Sequence, residues 1–376
     1  MNKSKVFSII VLNYNNYNYL FEMIDSVYNQ SYEYIELIVI DDASSYFDRE
    51  KLLKYIDKKN KQVKIKIIVN KKNIGTVKTI NKALKKVTGE YCLITASDDA
   101  LANGEVVSNF VKYFDITNST VVTSQWIICD NKLNRIKGYI PKNSFKKYNR
   151  NQAKLLFDMC KSNRFGSGAT AYKKVLFNKY KFDEKYKYLE DWPFWLKLLF
   201  NNEKIYFASF DGLLHRSGGI SESKTIKDST KQFYKELLDT VHKEIIPNFK
   251  KLTGYQKWSI LDSYKYNIEY YSKYFDTSKY ERELYKLVFN NRRIKLFYIL
   301  NELKPHLIYK LMFMFKHNKP LIITIFSTII ISLIFTKYID NNNLKLLFII
   351  ITYIIMYVGF NILKEVRSMK KWKSIQ

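Results

Sequence analysis

Four runs of strand length, three largely apolar and one alternating Lys with apolar residues, each leading to Asn or Asp and separated by stretches of helical periodicity, dominate the first hundred residues of this 376-residue chain. The first, Val6 to Leu12, ends in Asn13-Tyr14-Asn15-Asn16. The second, Ile35 to Ile40, ends in Asp41-Asp42, and the third, Val63 to Val69, ends in Asn70. The fourth, Tyr91 to Thr95, leads to Asp98-Asp99. Between them, Leu20, Ile24, Val27 and Tyr28 recur at helical spacing, which predicts a helix from about Tyr17 to Asn29. Arg49 to Lys58 and Thr76 to Lys86, the latter with Val77, Ile80 and Leu84 on one stripe, predict two more. Strands alternating with helices of this length fold as right-handed βαβ units around a largely parallel sheet.

Such a sheet keeps its ligands at the carboxyl ends of its strands, where Asp41-Asp42 and Asp98-Asp99 stand. Adjacent carboxylates at that edge suit a cation carrying phosphates, because hard oxygen ligands completed by substrate oxygens are the usual Mg²⁺ arrangement. An Asp at a strand end also forms turns and caps helices, so the pairs alone leave both readings open. Further on, Glu190-Asp191 precedes the apolar, aromatic helix pattern Trp192 to Leu199. Its acids would sit at the helix amino end, as caps or as chemical groups. There the helix dipole would lower the Asp191 pKa. Phe165 to Tyr172 is small and hydroxyl-rich and predicts a loop ahead of a strand.

In order, Ser8 to Asn15, Ile38 to Ser44, Asn73-Ile74-Gly75 with Asn81-Lys82-Ala83, Gly89-Glu90-Tyr91 leading to Asp98-Asp99, and Leu189-Glu190-Asp191-Trp192 resemble a family 2 glycosyltransferase of the GT-A fold, of bacterial surface-polysaccharide type. The resemblance covers about Lys5 to Ser221. It implies an α/β fold with a mixed, mainly parallel sheet flanked by helices, and transfer of one sugar from a nucleotide donor with inversion. It also implies site roles. Tyr14 would stack on the base, and Asp42 would accept a hydrogen bond from a uracil-type base, so that a UDP-sugar is favoured. Asn15, Asn73, Gly75, Asp98 and Arg216 complete the nucleotide-binding set. Asp99 and Asp98 would hold Mg²⁺ or Mn²⁺, with His215 as a third ligand or as a donor to phosphate. Asp191, with Glu190 beside it, would be the general base. Ala96 stands where relatives often carry a further acid, so the cation is expected to bind mainly with the donor.

Beyond Ser221 the composition turns to Lys, Tyr, Phe and Leu, and Phe233, Leu237, Leu238 and Val241 predict amphipathic helices. Pro320 to Thr336 and Leu346 to Leu363 carry no charge and straddle a polar turn, which reads as a transmembrane hairpin. Lys310, Lys316 and Lys319 before it and Lys364, Arg367, Lys370, Lys371 and Lys373 after it place both ends, and the catalytic domain, on the cytoplasmic side. The expected organisation is a catalytic domain at 1–222, a basic and aromatic membrane-proximal region at 223–319, the hairpin at 320–364 and a basic tail at 365–376.

The formal charge of +28 is spread along the chain with no focused patch, so anionic lipid and a lipid-linked or glycan acceptor are the expected partners and nucleic acid is not. The short first apolar run is a strand rather than a secretory signal. Three cysteines without paired spacing fit a reducing compartment, and the four histidines show no zinc spacing. Two other classes stay open: a sugar nucleotidyltransferase on a related sheet, which would release pyrophosphate, and a non-enzymatic membrane or nucleic-acid binding protein.

Overall fold

A computed structural model describes residues 5–59, 61–138, 142–217 and 227–289. The hairpin and tail expected beyond Lys319 lie outside them. Among the described residues no helix is long and apolar enough to cross a membrane.

The strands and helices alternate as the apolar runs require. β1 (Phe7–Asn13), α1 (Tyr17–Tyr28), β2 (Ile35–Asp41), α2 (Arg49–Ile56), β3 (Lys64–Val69), α3 (Thr76–Leu84) and β4 (Tyr91–Ala96) fall within a few residues of their expected bounds. The chain continues through β5 (Ala100–Leu101), α4 (Val106–Thr117), β6 (Val121–Cys129), β7 (Arg135–Gly138), α5 (Lys142–Arg150) and α6 (Gln152–Met159). β8 (Thr170–Lys173), α7 (Leu176–Lys179), α8 (Asp191–Phe200) and β9 (Ile205–Arg216) complete the sheet region. α9 (Asp228–Thr240), α10 (Gly254–Tyr271) and α11 (Ser278–Phe289) follow.

The strand order is β3-β2-β1-β4-β8-β6-β9-β5, with β7 on β6. β3, β2, β1 and β4 run parallel, as do β6 and β9, whereas β8 and β5 pair antiparallel. The sheet is therefore mixed. β2 is buried throughout and β1 nearly so, because helices cover both faces of a parallel sheet. On one face, Ile9, Val11, Leu37 and Val39 pack with Leu20, Ile24, Val27, Phe110 and Phe114 of α1 and α4. Each such side chain contributes about 1.5–3 kcal/mol when fully buried. Trp192, Phe194 and Trp195 bury the aromatic face of α8 among Phe165, Tyr172 and Phe182.

One charge sits inside this core. Glu36 of β2 is fully buried and accepts hydrogen bonds from Ser8 Oγ at 2.6 Å, Lys66 Nζ at 2.6 Å, Thr88 N at 2.8 Å and Thr88 Oγ1 at 2.8 Å. Burial alone would push its carboxyl pKa up, but these donors outweigh it and hold the pKa down at about 2. The result is a bolt joining β1, β2, β3 and the approach to β4 at the edge opposite the acidic strand ends.

Candidate active site

The strand ends are tied to one another by side chains. Asn13 Nδ2 donates to Asp41 Oδ1 at 2.7 Å, and Ser97 Oγ donates to Asn13 Oδ1 at 2.8 Å, linking β1, β2 and β4. Asp41 also accepts from Ser44 N at 2.9 Å, so it supports the turn, as its position in the sequence implies. Asp42, 5% exposed, accepts from Asn70 Nδ2 at 2.8 Å and from the backbone N–H groups of Ile74 and Gly75, both at 2.9 Å. Both its oxygens thus fix the loop before α3. Gly75 has φ +87°, a conformation that glycine adopts without strain. Asn15 holds the neighbouring turn, its Oδ1 accepting from Ser45 N at 2.9 Å. Tyr14 leaves half its surface exposed and Asn73 is exposed.

Beside these loops lies a crevice of about 440 Å³ whose lining includes Asp98, Asp99, His215, Glu190, Asp191 and Asn163. Groups more than ninety residues apart in sequence therefore face one cavity. Asp98 Oδ2 accepts from Asn16 Nδ2 at 3.1 Å, and burial followed by the Asp99 charge raises the Asp98 pKa. Asp99, 4% exposed, accepts from Arg216 N at 3.3 Å. Its Oδ1 lies 2.9 Å from His215 Nδ1, and the His215 ring meets Trp126 edge-on with centroids 4.4 Å apart.

The geometry bears on two of the expected roles. Among the described residues no three acidic, His or Cys side chains converge as metal ligands, because Asp98 turns one oxygen to Asn16 while Asp99 pairs with His215. The donor set fits a cation that draws most of its ligands from a bound diphosphate, with Asp98 and Asp99 as the protein's oxygens. Arg216 also departs from a phosphate contact. Its Nε donates to Asn131 O at 3.0 Å, its Nη groups bond Asp98 O and the Glu22 carboxylate, and its plane lies 4.4 Å over the Tyr19 ring. At 4% exposure the guanidinium braces the Asp98 backbone from behind.

On the facing wall, Asp191 Oδ2 accepts from Asn163 Nδ2 at 2.8 Å and Oδ1 from Trp192 N at 2.6 Å. Glu190 accepts from Ser167 Oγ at 2.9 Å and makes no cap bond to the helix. The helix end was expected to lower the Asp191 pKa. The opposite direction holds, since burial raises it further than the hydrogen bonds from Asn163 and the backbone lower it. Burial and then the Asp191 charge raise Glu190 as well. A carboxylate so raised is a stronger base near neutral pH.

Asn163, Trp126 and Thr95 have no sequence signature. Among the described residues, Asn163 Oδ1 and Thr95 Oγ1 are buried without a hydrogen-bond partner, and both residues line the crevice, where a ligand's polar groups would satisfy them. Gly166 passes so close to Trp126 that a Cβ there would lie 2.4 Å from the indole ring.

Residues 8–171 match the sequence model of glycosyl transferase family 2. An uncharacterized glycosyltransferase of Haemophilus influenzae is 31% identical over 204 residues, 52% of this chain and 60% of that protein. The poly(ribitol-phosphate) beta-N-acetylglucosaminyltransferase TarS of Staphylococcus aureus is 30% identical over 119 residues, 31% of this chain and 20% of TarS. The chain thus spans less than two thirds of these relatives' lengths, 60% of the first and 20% of TarS. A crystal structure of TarS fragment 1–349 in complex with UDP shares the fold, with a TM-score of 0.51 and 24% identity over 69% of this chain and 70% of that one. Residues 8–171 are thus similar to glycosyl transferase family 2, and the α/β sheet built around them is GT-A-like.

Proposed function

We propose that this protein is a metal-dependent, inverting glycosyltransferase that moves a single sugar from a nucleotide-diphosphate donor to an acceptor hydroxyl. The observation that carries the reading is the meeting in one crevice of the Asp98-Asp99 pair with a carboxylate, Asp191, whose pKa burial has raised. Asp98 and Asp99 would hold Mg²⁺ or Mn²⁺ against the donor's two phosphates, where the ion supplies neutralisation of the charge growing on the leaving diphosphate. Asp191 removes the proton of the acceptor hydroxyl as that oxygen attacks the anomeric carbon from the side opposite the departing diphosphate. Asn163 keeps one Asp191 oxygen fixed during that transfer.

A UDP-sugar is the favoured donor, in keeping with the UDP bound to TarS. Tyr14, half exposed beside the Asp42 loop, offers a flat face to the base, and Asp42 shapes the loop beneath it. The uncharged stretches 320–336 and 346–363 with their basic flanks support action at the cytoplasmic face of a membrane, on a lipid-linked or surface-glycan acceptor. The test is nucleoside diphosphate release from a panel of nucleotide sugars with Mg²⁺ or Mn²⁺ and lipid-linked acceptors. Release from at least one donor is expected, and none from any donor with any acceptor defeats the proposal.

A further inference from the structure

The segment that delivers Asp191 to the crevice is held by a side chain downstream of the family-matched region. Glu236 of α9 is 2% exposed and receives three consecutive backbone N–H groups: Lys187 N on Oε1, and Tyr188 N and Leu189 N on Oε2, each at 2.9 Å. Gln232 Nε2 adds a fourth bond to Oε1 at 3.1 Å. On its other side the segment abuts the loop before α3. A Cβ on Gly75 would meet Lys187 Cγ at 3.3 Å and Lys187 O at 3.5 Å. Tyr188 and Leu189 line the crevice, Glu190 and Asp191 follow directly, and Phe233, one turn from Glu236, lines the same cavity.

Three sequential amides converging on one buried carboxylate make a far tighter fixture than a loop needs to meet its own hydrogen bonds. Charge-assisted bonds of this kind are about twice as strong as neutral ones. We propose that Glu236 is a positioning residue that locks 187–189 and so sets the place of Asp191 against the crevice. This rests on the transferase reading for Asp191's role, while the lock itself is independent of it. A glutamine in its place has one acceptor oxygen and turns an N–H₂ toward amides that need an acceptor.

The test joins two measurements on the full chain carrying Glu236→Gln. Amide hydrogen exchange should speed up at Lys187, Tyr188 and Leu189 by about tenfold or more while the β1 and β2 amides keep their protection. In turnover assays kcat should fall at least about tenfold while KM for the nucleotide sugar stays within about twofold, because the base moves and the donor site does not. Unchanged exchange at 187–189, or a loss confined to KM, overturns the proposal. If wild-type protein turns over no donor, the transferase reading fails and the exchange rates alone decide the lock. Should Glu236→Gln not fold, Glu236→Asp, which keeps the charge on a shorter arm, decides by the same readings.

Discussion

Gly166→Ala probes how closely the two walls of the crevice depend on each other. The added methyl would lie 2.4 Å from Trp126 Cζ3 and 2.8 Å from Cε3, against an ordinary carbon contact of about 3.5–4.0 Å. The indole or the loop must therefore move by roughly 1 Å, because a rigid fused ring has no flexible end to give way. Trp126 stands edge-on to His215 with centroids 4.4 Å apart, and His215 Nδ1 is 2.9 Å from Asp99 Oδ1, so the displacement passes to the diphosphate side. Overpacking of this size costs about 1–3 kcal/mol of stability. A shift of about 1 Å at reacting groups costs on the order of 10²-fold in rate. The comparison is Gly168→Ala, whose methyl would meet only the tip of a side chain closely, Leu213 Cδ2 at 2.8 Å, with Thr95 Oγ1 at 3.6 Å and Asp99 Oδ2 at 3.7 Å in ordinary contact. In a coupled nucleoside diphosphate assay Gly166→Ala should lose about 10²-fold in kcat/KM and Gly168→Ala less than about tenfold. Wild-type kcat/KM in Gly166→Ala would refute the coupling.

Other perturbations read different parts of the structure. Because burial raises Asp191 and the base acts only when ionised, kcat should climb with pH along a limb displaced above the ordinary carboxylate value of about 4, and a rate already flat at pH 4 would contradict it. Glu36, held at about 2 against an ordinary 4.5, contributes about 3 kcal/mol that is fully present above pH 4.5 and fades as pH falls toward 2. The stability gap between wild type and Glu36→Gln, measured by urea unfolding, should therefore narrow from pH 7 to pH 3, and a constant gap would contradict the bolt. Ala43 sits at φ +60°, so Ala43→Gly should stabilise the fold by about 1 kcal/mol in thermal unfolding, whereas a loss would show that its methyl is needed.

The sheet was legible because periodicity and strand endings encode it directly. Apart from the paired Ser8 and Glu36, Val6 to Leu12 and Ile35 to Ile40 are apolar on both faces since helices cover both, and Asn13, Asp41 and Asp98 mark where each strand opens into loops. The crevice was legible only through the family resemblance, which set Asp98-Asp99 and Glu190-Asp191 on a common site. Partners set by packing were not. Arg216 beside His215 reads as a phosphate contact in sequence, yet Glu22, Tyr19 and Asn131, distant along the chain, take up its guanidinium. Asn163 holds the base through one contact and Glu236 holds its segment through three, and neither leaves a periodic trace in the sequence. The direction of the Asp191 pKa also escaped, because a helix amino end is visible in sequence and the burial that outweighs it is not.

The most direct test compares wild-type protein with Asp191→Asn for nucleoside diphosphate release from a nucleotide sugar, with Mg²⁺ or Mn²⁺ and an acceptor present. A general base supplies about 10²–10⁴-fold, so kcat should fall by that factor while the donor binds unchanged. Wild-type turnover by Asp191→Asn, or release of pyrophosphate in place of nucleoside diphosphate, would contradict sugar transfer by this site.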